Sequence, residues 1–179
     1  MVTEAATPSA NAGMRMSPAA RTRMRDTEKV IRHYYNDMGK DKGNCTWGAG
    51  ILAHRGVCSE EELARKVSDN EVNKEFDKRV GQAESNVRRG VDRTALTQDQ
   101  FDALVSLTFN AGCGNARDVY VLANKGDFAG AAKLISGMTS VQINKGGKKK
   151  YVVAPGLVKR RAEESAPFQS DSDNERAEK

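Results

Sequence analysis

The chain of 179 residues is 38% hydrophobic and 30% charged, with 29 Lys and Arg against 24 Asp and Glu for a net charge of +5. That composition supports one domain, or two small lobes sharing a core, with polar tails. No run approaches the ~20 apolar residues of a membrane-spanning helix, which excludes stable membrane insertion. The basic balance favours anionic partners without choosing among nucleic acid, a membrane face and a cell wall.

The N-terminal stretch, MVTEAATPSANAGMRMSPAA, contains Glu4 and no apolar core, and does not read as a signal peptide. Residues 1–16 are rich in Ala, Ser, Thr and Pro without periodicity and are expected to be disordered. Ser17-Pro18 then supplies an N-cap and a proline at the first helical position, opening a helix to about Glu28. Val30, Ile31, His33, Tyr34 and Tyr35 are β-branched or aromatic and predict a strand. Asn36-Asp37, with Gly39 and Gly43, marks a turn, and Cys45-Thr46-Trp47 returns as a second strand.

The following helices are announced by their caps. Ser59 with Glu62, Ser68 with Glu71 and Thr97 with Gln100 each have the spacing of a capping box, and Val67 and Val72 stand where a hydrophobic staple would. The helix from about 69 to 89 carries a narrow apolar stripe, Val72, Phe76, Val80, Ala83 and Val87, and reads as a strut between two lobes, ended by Gly90. In TQDQFDALVSLTFNAG the residues Phe101, Ala103, Leu104, Val105, Leu107 and Phe109 cover nearly the whole circumference and predict a central, buried helix. A shorter helix from about Asn115 to Lys125 ends at Gly126, and Asp127 caps another that closes at Gly137. Pro155 starts a last helix that stops before Pro167. Residues 17–168 thus form the folded body, and the polar end 169–179 is expected to be disordered. A cleft between the lobes would suit an extended polymer.

Three cysteines, Cys45, Cys58 and Cys113, fit no zinc pattern, and no metal or cofactor is expected. Cys45 and Cys58 bracket a tight segment, which fits a disulfide in an oxidising compartment or buried thiols in a reducing one. Gly146-Gly147-Lys148-Lys149-Lys150 lacks the spacing and strand-to-helix setting of a phosphate loop and reads as a solvated loop. Basic motifs interleaved with aromatics are missing, and a nucleic-acid partner is not expected.

Glu28, Asp37 and Thr46 are the candidates for chemistry, set against the commoner reading of a Glu and an Asp near a hairpin as solvated surface. A glycosidic bond is cleaved by two carboxyl groups in different protonation states, one donating to the leaving oxygen and one acting on water or on the sugar. Glu28, at a helix end, is placed for burial that would keep it protonated, whereas Asp37 in a polar turn would stay ionised. Thr46 adds a hydroxyl able to hold water. The glycines of Thr46-Trp47-Gly48-Ala49-Gly50 let the strand turn tightly and approach a substrate closely.

Glu28, the eight residues that follow, Asp37, a loop and then Thr46 leading into Gly48-Ala49-Gly50 resemble the phage-type lysozymes, glycoside hydrolase family 24. LTQDQFDALVSLTFNAGCG, GDFAGAAKLI and PGLVKRRAEE are similar to further stretches of that family, in the same order, so the likeness runs from about Met24 to Phe168. The resemblance implies an α+β, lysozyme-like fold: a small α/β-hairpin lobe joined by a long helix to an all-helical lobe. It implies a monomeric endolysin-type muramidase acting on bacterial peptidoglycan between N-acetylmuramic acid and N-acetylglucosamine. Glu28 would be the general acid, with Asp37 and Thr46 positioning water. Asn110, Gly48 and Gly50 would line the saccharide site. Such a protein is made in a host cytoplasm and reaches the periplasm and wall through a holin-dependent membrane lesion.

Some positions depart from the family pattern. The loop MGKDKGNC is longer than usual and offers Asp41 as a competing carboxylate, Lys29 replaces a customary glycine, and Ile51 a customary histidine. His54, three residues further on, is the candidate to take that histidine's place, supported by a carboxylate, or is simply a surface residue. A lytic transglycosylase, needing one acid, and a non-catalytic peptidoglycan-binding protein of the same fold are the rival readings.

Overall fold

The computed structural model describes residues 9–28, 31–48, 50–145 and 147–169, with the side chains of 144 and 145 excepted. The chain divides into two compact units, one of Pro18–Gly81 and one of Met1–Ser17 with Gln82–Lys179. The fold is α+β.

The Pro18–Gly81 unit opens with α1 (Pro18–Thr27), which begins at the expected proline and buries Ala20 and Met24. The strands β1 (Ile31–Asn36), β2 (Cys45–Gly48) and β3 (Ile51–His54) form one antiparallel sheet in sequence order. The third strand has no counterpart in the sequence reading, because four residues after a glycine turn show too short a pattern to register. The outer edge of β1 is partly covered: His33 bridges Lys66, and Val67 N donates to Arg32 O at 2.9 Å. Helix α2 (Glu60–Ala64) carries the predicted capping box of Ser59 and Glu62. Helix α3 (Asp69–Gly90) begins with the box of Ser68 and Glu71, and its stripe Val72, Phe76, Val80, Ala83 and Val87 is buried throughout. The boundary between the units falls inside α3.

The second unit is built on α4 (Gln98–Ala111), capped by Thr97 and Gln100 as expected. Phe101, Leu104, Val105 and Leu107 have no exposed surface, and such burial contributes roughly 1.5–3 kcal/mol per side chain. Helices α5 (Cys113–Asn124) and α7 (Pro155–Ser165) pack on it, α6 (Phe128–Gly137) packs on both of those, and a 3-10 turn, Ala166–Phe168, buries Phe168 after the last helix. Helix α5 starts two residues before the predicted Asn115.

Two expectations are corrected in this unit. Residues 9–16, read as part of a disordered tail, are fastened down: buried Asn11 donates through Nδ2 to Val91 O and Thr94 O and accepts from Leu96 N. Met16 N donates to buried Glu84, and Ser9 Oγ to Arg88 O. The lysine run read as a solvated loop lies in a hairpin, β4 (Ser140–Lys145) paired with β5 (Lys148–Val153) from Ser140↔Val153 to Lys145↔Lys148. Its β-branched Val141, Ile143, Val152 and Val153 favour extended backbone. The predicted disordered segments 1–8 and 170–179 lie outside the described residues.

Candidate active site

Glu28 is the first residue beyond α1, half-buried, where the Thr27 hydroxyl donates to Met24 O at 2.8 Å and ends the helix. Strand β1 follows and delivers Asp37 to the turn at its other end. Thr46 stands in β2 opposite Tyr35 and is 4% exposed. The three residues therefore occupy the helix end, the turn and the returning strand that the sequence implies.

Asp37 and Thr46 are brought together by a residue the sequence reading passed over, Asn44. Asp37 N donates to Asn44 O at 3.1 Å, Asn44 N donates back to Asp37 Oδ1 at 2.8 Å, and Asn44 Nδ2 reaches Asp37 Oδ2 at 3.4 Å. The Thr46 hydroxyl donates to the same Asn44 carbonyl at 3.3 Å. Asn44 Oδ1 in turn accepts from Gly56 N at 3.2 Å, so the residue joining the two candidates is itself anchored to the segment beyond β3. A signal was available: an Asn flanked by Gly43 and a strand is a common closing residue of a turn.

Gly43 is part of the same arrangement. Its φ of +85° is the left-handed region that L side chains rarely adopt, and a Cβ there would stand 2.0 Å from Asp37 Oδ1. The bare glycine lets the carboxylate lie over the backbone. Asp41, the competing carboxylate, is exposed at the loop tip with φ +57°, a conformation that aspartate tolerates better than most residues. None of the bonds that join Asp37 to Thr46 passes through it.

The hairpin is closed by covalent and polar links. Cys45 and Cys58 form a disulfide. Cys45 N donates to Gly56 O at 2.7 Å, and Cys58 N to Asn36 Oδ1 at 2.8 Å. Beyond Thr46, Gly48 is buried at φ +59°, with Ile51 Cδ1 3.0 Å from where a Cβ would sit, and Gly50 is exposed at φ +75°. The tight turn expected of these glycines is present. Trp47 lies beside Tyr34 with ring centroids 6.1 Å apart, and the Arg65 guanidinium sits 5.4 Å over Tyr34. Partial burial, then the nearby Asp37 charge, push the Tyr35 phenol up, so it stays neutral.

His54 has a carboxylate partner. Its Nε2 contacts Glu62 Oε1 at 2.9 Å and its Nδ1 faces Arg55 O at 3.0 Å, while the other Glu62 oxygen accepts from Ser59 N in the helix cap. The Arg55 carbonyl first, and Glu62 second, raise the His54 pKa. The Ser59 amide lowers that of Glu62. Cys45, His54 and Glu62 have donor atoms within 4.8 Å of one another, but the cysteine sulfur is taken up in the disulfide and the other two bond each other. The group is a structural brace between β3 and α2.

Asn110 belongs to the other unit. Its Oδ1 accepts from Arg161 Nη2 at 2.6 Å, and buried Arg161 also pairs with buried Glu164, which accepts from Ser106 Oγ at 2.6 Å. This bond gives Asn110 a part in holding α4 to α7, the structural alternative to lining a saccharide site.

The family model for phage lysozyme matches residues 25–164. An endolysin of Acyrthosiphon pisum secondary endosymbiont phage 1 is 38% identical over 80 residues, 44% of this chain and 52% of that protein, so the chain spans about half the length of this curated relative. The muramidase domain of SpmX from Asticaccaulis excentricus has a similar structure, with a TM-score of 0.66 at 27% identity, covering 87% of this chain and 98% of that one. The endolysin from Escherichia coli O157:H7 phage FAHEc1 shares the fold, with a TM-score of 0.68 at 24% identity over 89% and 96% of the two chains.

Proposed function

The chain belongs to the phage lysozyme family, and from that premise we propose that it is an endolysin-type muramidase hydrolysing the bond between N-acetylmuramic acid and N-acetylglucosamine in bacterial peptidoglycan. What supports the reading is the pairing of Asp37 and Thr46 through one residue, in the hairpin that directly follows Glu28. Glu28 acts as the general acid and protonates the leaving glycosidic oxygen. Asp37 is the ionised partner. With Oδ1 engaged by the Asn44 amide, its remaining lone pairs accept from a water. The Thr46 hydroxyl donates to Asn44 O, which fixes its oxygen to accept from that same water. A carboxylate that activates water instead of attacking the sugar gives inversion at the anomeric carbon.

The site of action follows from the substrate. The protein works at the wall and reaches it through a holin-like lesion in the membrane. Among the described residues no helix is long and apolar enough to cross a membrane.

The test is mass spectrometry of soluble products from purified peptidoglycan, with wild type beside Glu28→Gln. Hydrated muramic acid at the reducing end, formed by wild type and reduced about 10²–10⁴-fold by the substitution, is the expected result. Anhydro-muramic products would instead identify a transglycosylase, and no products from walls of several types would leave a binding protein.

A further inference from the structure

The β4–β5 hairpin is basic and exposed. From Phe128 to Ala162 the chain holds eight Lys and Arg and no Asp or Glu, a charge of +8 against +5 for the whole chain. The basic excess is therefore a property of this stretch. Lys159, Arg160 and Arg161 face carboxylates on their own helix. Lys145, Lys148, Lys149 and Lys150 belong to the hairpin.

Neither face of the hairpin is buried. Val141, Ile143 and Val152 share one face at 40%, 37% and 38% exposure, while Tyr151 and Val153 share the other at 73% and 61%. A two-stranded hairpin is only marginally stable by itself and usually persists by packing one face on a core. Here Tyr151 and Val153 stand mostly in water, and Val141, Ile143 and Val152 keep about two-fifths of their surface exposed, all on a lysine-rich hairpin.

We propose that this hairpin docks the protein on the anionic face of a lipid bilayer. A bilayer interface accepts both halves of the pattern: valine and isoleucine enter the acyl boundary, tyrosine sits at headgroup level, and lysine stems extend so that their ammonium groups meet phosphates. An aqueous polyanion such as a wall polymer would attract the lysines equally well and its sugar rings would stack on Tyr151, but it offers nothing to the aliphatic Val141, Ile143, Val152 and Val153. That difference favours the bilayer. The attachment is peripheral and reversible, as a few lysines and partly inserted side chains provide.

The experiment is co-sedimentation of the full chain with vesicles of phosphatidylethanolamine and phosphatidylglycerol, mixed at roughly 3:1, and with phosphatidylcholine alone. Wild type is expected to partition at least about tenfold better to the anionic vesicles, with the preference falling as salt rises. The pair Lys148→Glu with Lys150→Glu, and separately Tyr151→Ser with Val153→Ser, should each reduce partitioning about tenfold, with hydrolysis of soluble glycan strands unchanged. Retained vesicle binding by the Tyr151→Ser, Val153→Ser protein would overturn the proposal and leave a charge-only contact. Binding to purified wall but not to vesicles would overturn it in favour of a wall polymer, and hairpin-dependent self-association in favour of a second copy. As an independent readout, Tyr151→Trp in a Trp47→Phe background should be quenched by brominated phosphatidylglycerol. Unquenched emission would place the hairpin outside the bilayer and sink the idea.

Discussion

Gly43→Ala tests how Asp37 is held. A methyl at residue 43 would fall 2.0 Å from Asp37 Oδ1 and within 2.9 Å of the Met38 side chain, and φ is +85°. The backbone alone costs about 1–2 kcal/mol for a non-glycine residue in this region. The carboxylate must also swing away and give up the 2.8 Å bond from Asn44 N. A hydrogen bond to a charged group is worth about 1.5–3 kcal/mol, and the exposure of Asp37 argues for the lower end, which brings the total to about 3 kcal/mol. Gly39→Ala is the matched control: φ is +99° and nothing lies within 4 Å of its Cβ position, so only the backbone cost of about 1–2 kcal/mol applies. Urea unfolding should separate the two by about 1.5 kcal/mol. Rates of wall clearing should separate them further, since displacing a reacting group by about 1 Å costs on the order of 10²-fold. Equal stability and equal rates for the two variants would refute the claim that Gly43 exists to seat Asp37.

Three other perturbations probe the frame around the site. Removing the Cys45–Cys58 disulfide, which spans 13 positions, should lower unfolding free energy by about 3 kcal/mol in urea titrations with and without reductant; a loss below about 1 kcal/mol would mean the main-chain bonds hold the hairpin unaided. Both nitrogens of His54 face acceptors, the Arg55 carbonyl and Glu62, which favour the protonated ring and raise its pKa from the ordinary 6.5. Its stabilising share is complete below that value and fades as pH rises through the folded-state pKa, so the wild-type melting temperature should fall more steeply than that of His54→Gln as pH rises from about 6.5, and parallel curves would contradict this. Arg161→Ala takes from buried Glu164 its most buried partner and leaves the carboxylate to Arg160 and Ser106 on Oε1 alone, and should cost about 3 kcal/mol by chemical denaturation, while Arg160→Ala, with a side chain 19% exposed, should cost clearly less; equal losses would dispose of the distinction.

The sequence disclosed what local chemistry controls. All three capping boxes and the burial around α4 could be read from residue order, because caps and helical stripes are written within one or two turns. The positions of Glu28, Asp37 and Thr46 on helix end, turn and strand were legible for the same reason. What escaped depends on distant partners. The N-terminal residues look unstructured by composition, yet the Asn11 amide finds Val91, Thr94 and Leu96 some 80 positions away. The lysine run hid a hairpin because charge outweighed the β-branched residues flanking it. Asn44 carried no catalytic signature, since its hold on Asp37 and Thr46 is made largely by its backbone.

That backbone hold has a consequence for variation in length. Asp37 and Asn44 close the loop across its base, and Thr46 hangs from the same closing carbonyl. The residues between, from Met38 to Lys42, are exposed and project beyond the closure. Their number can therefore change without altering the spacing of the carboxylate and the hydroxyl. The loop tip is therefore a natural place to graft a tag or a binding peptide while the pair beneath it stays in register.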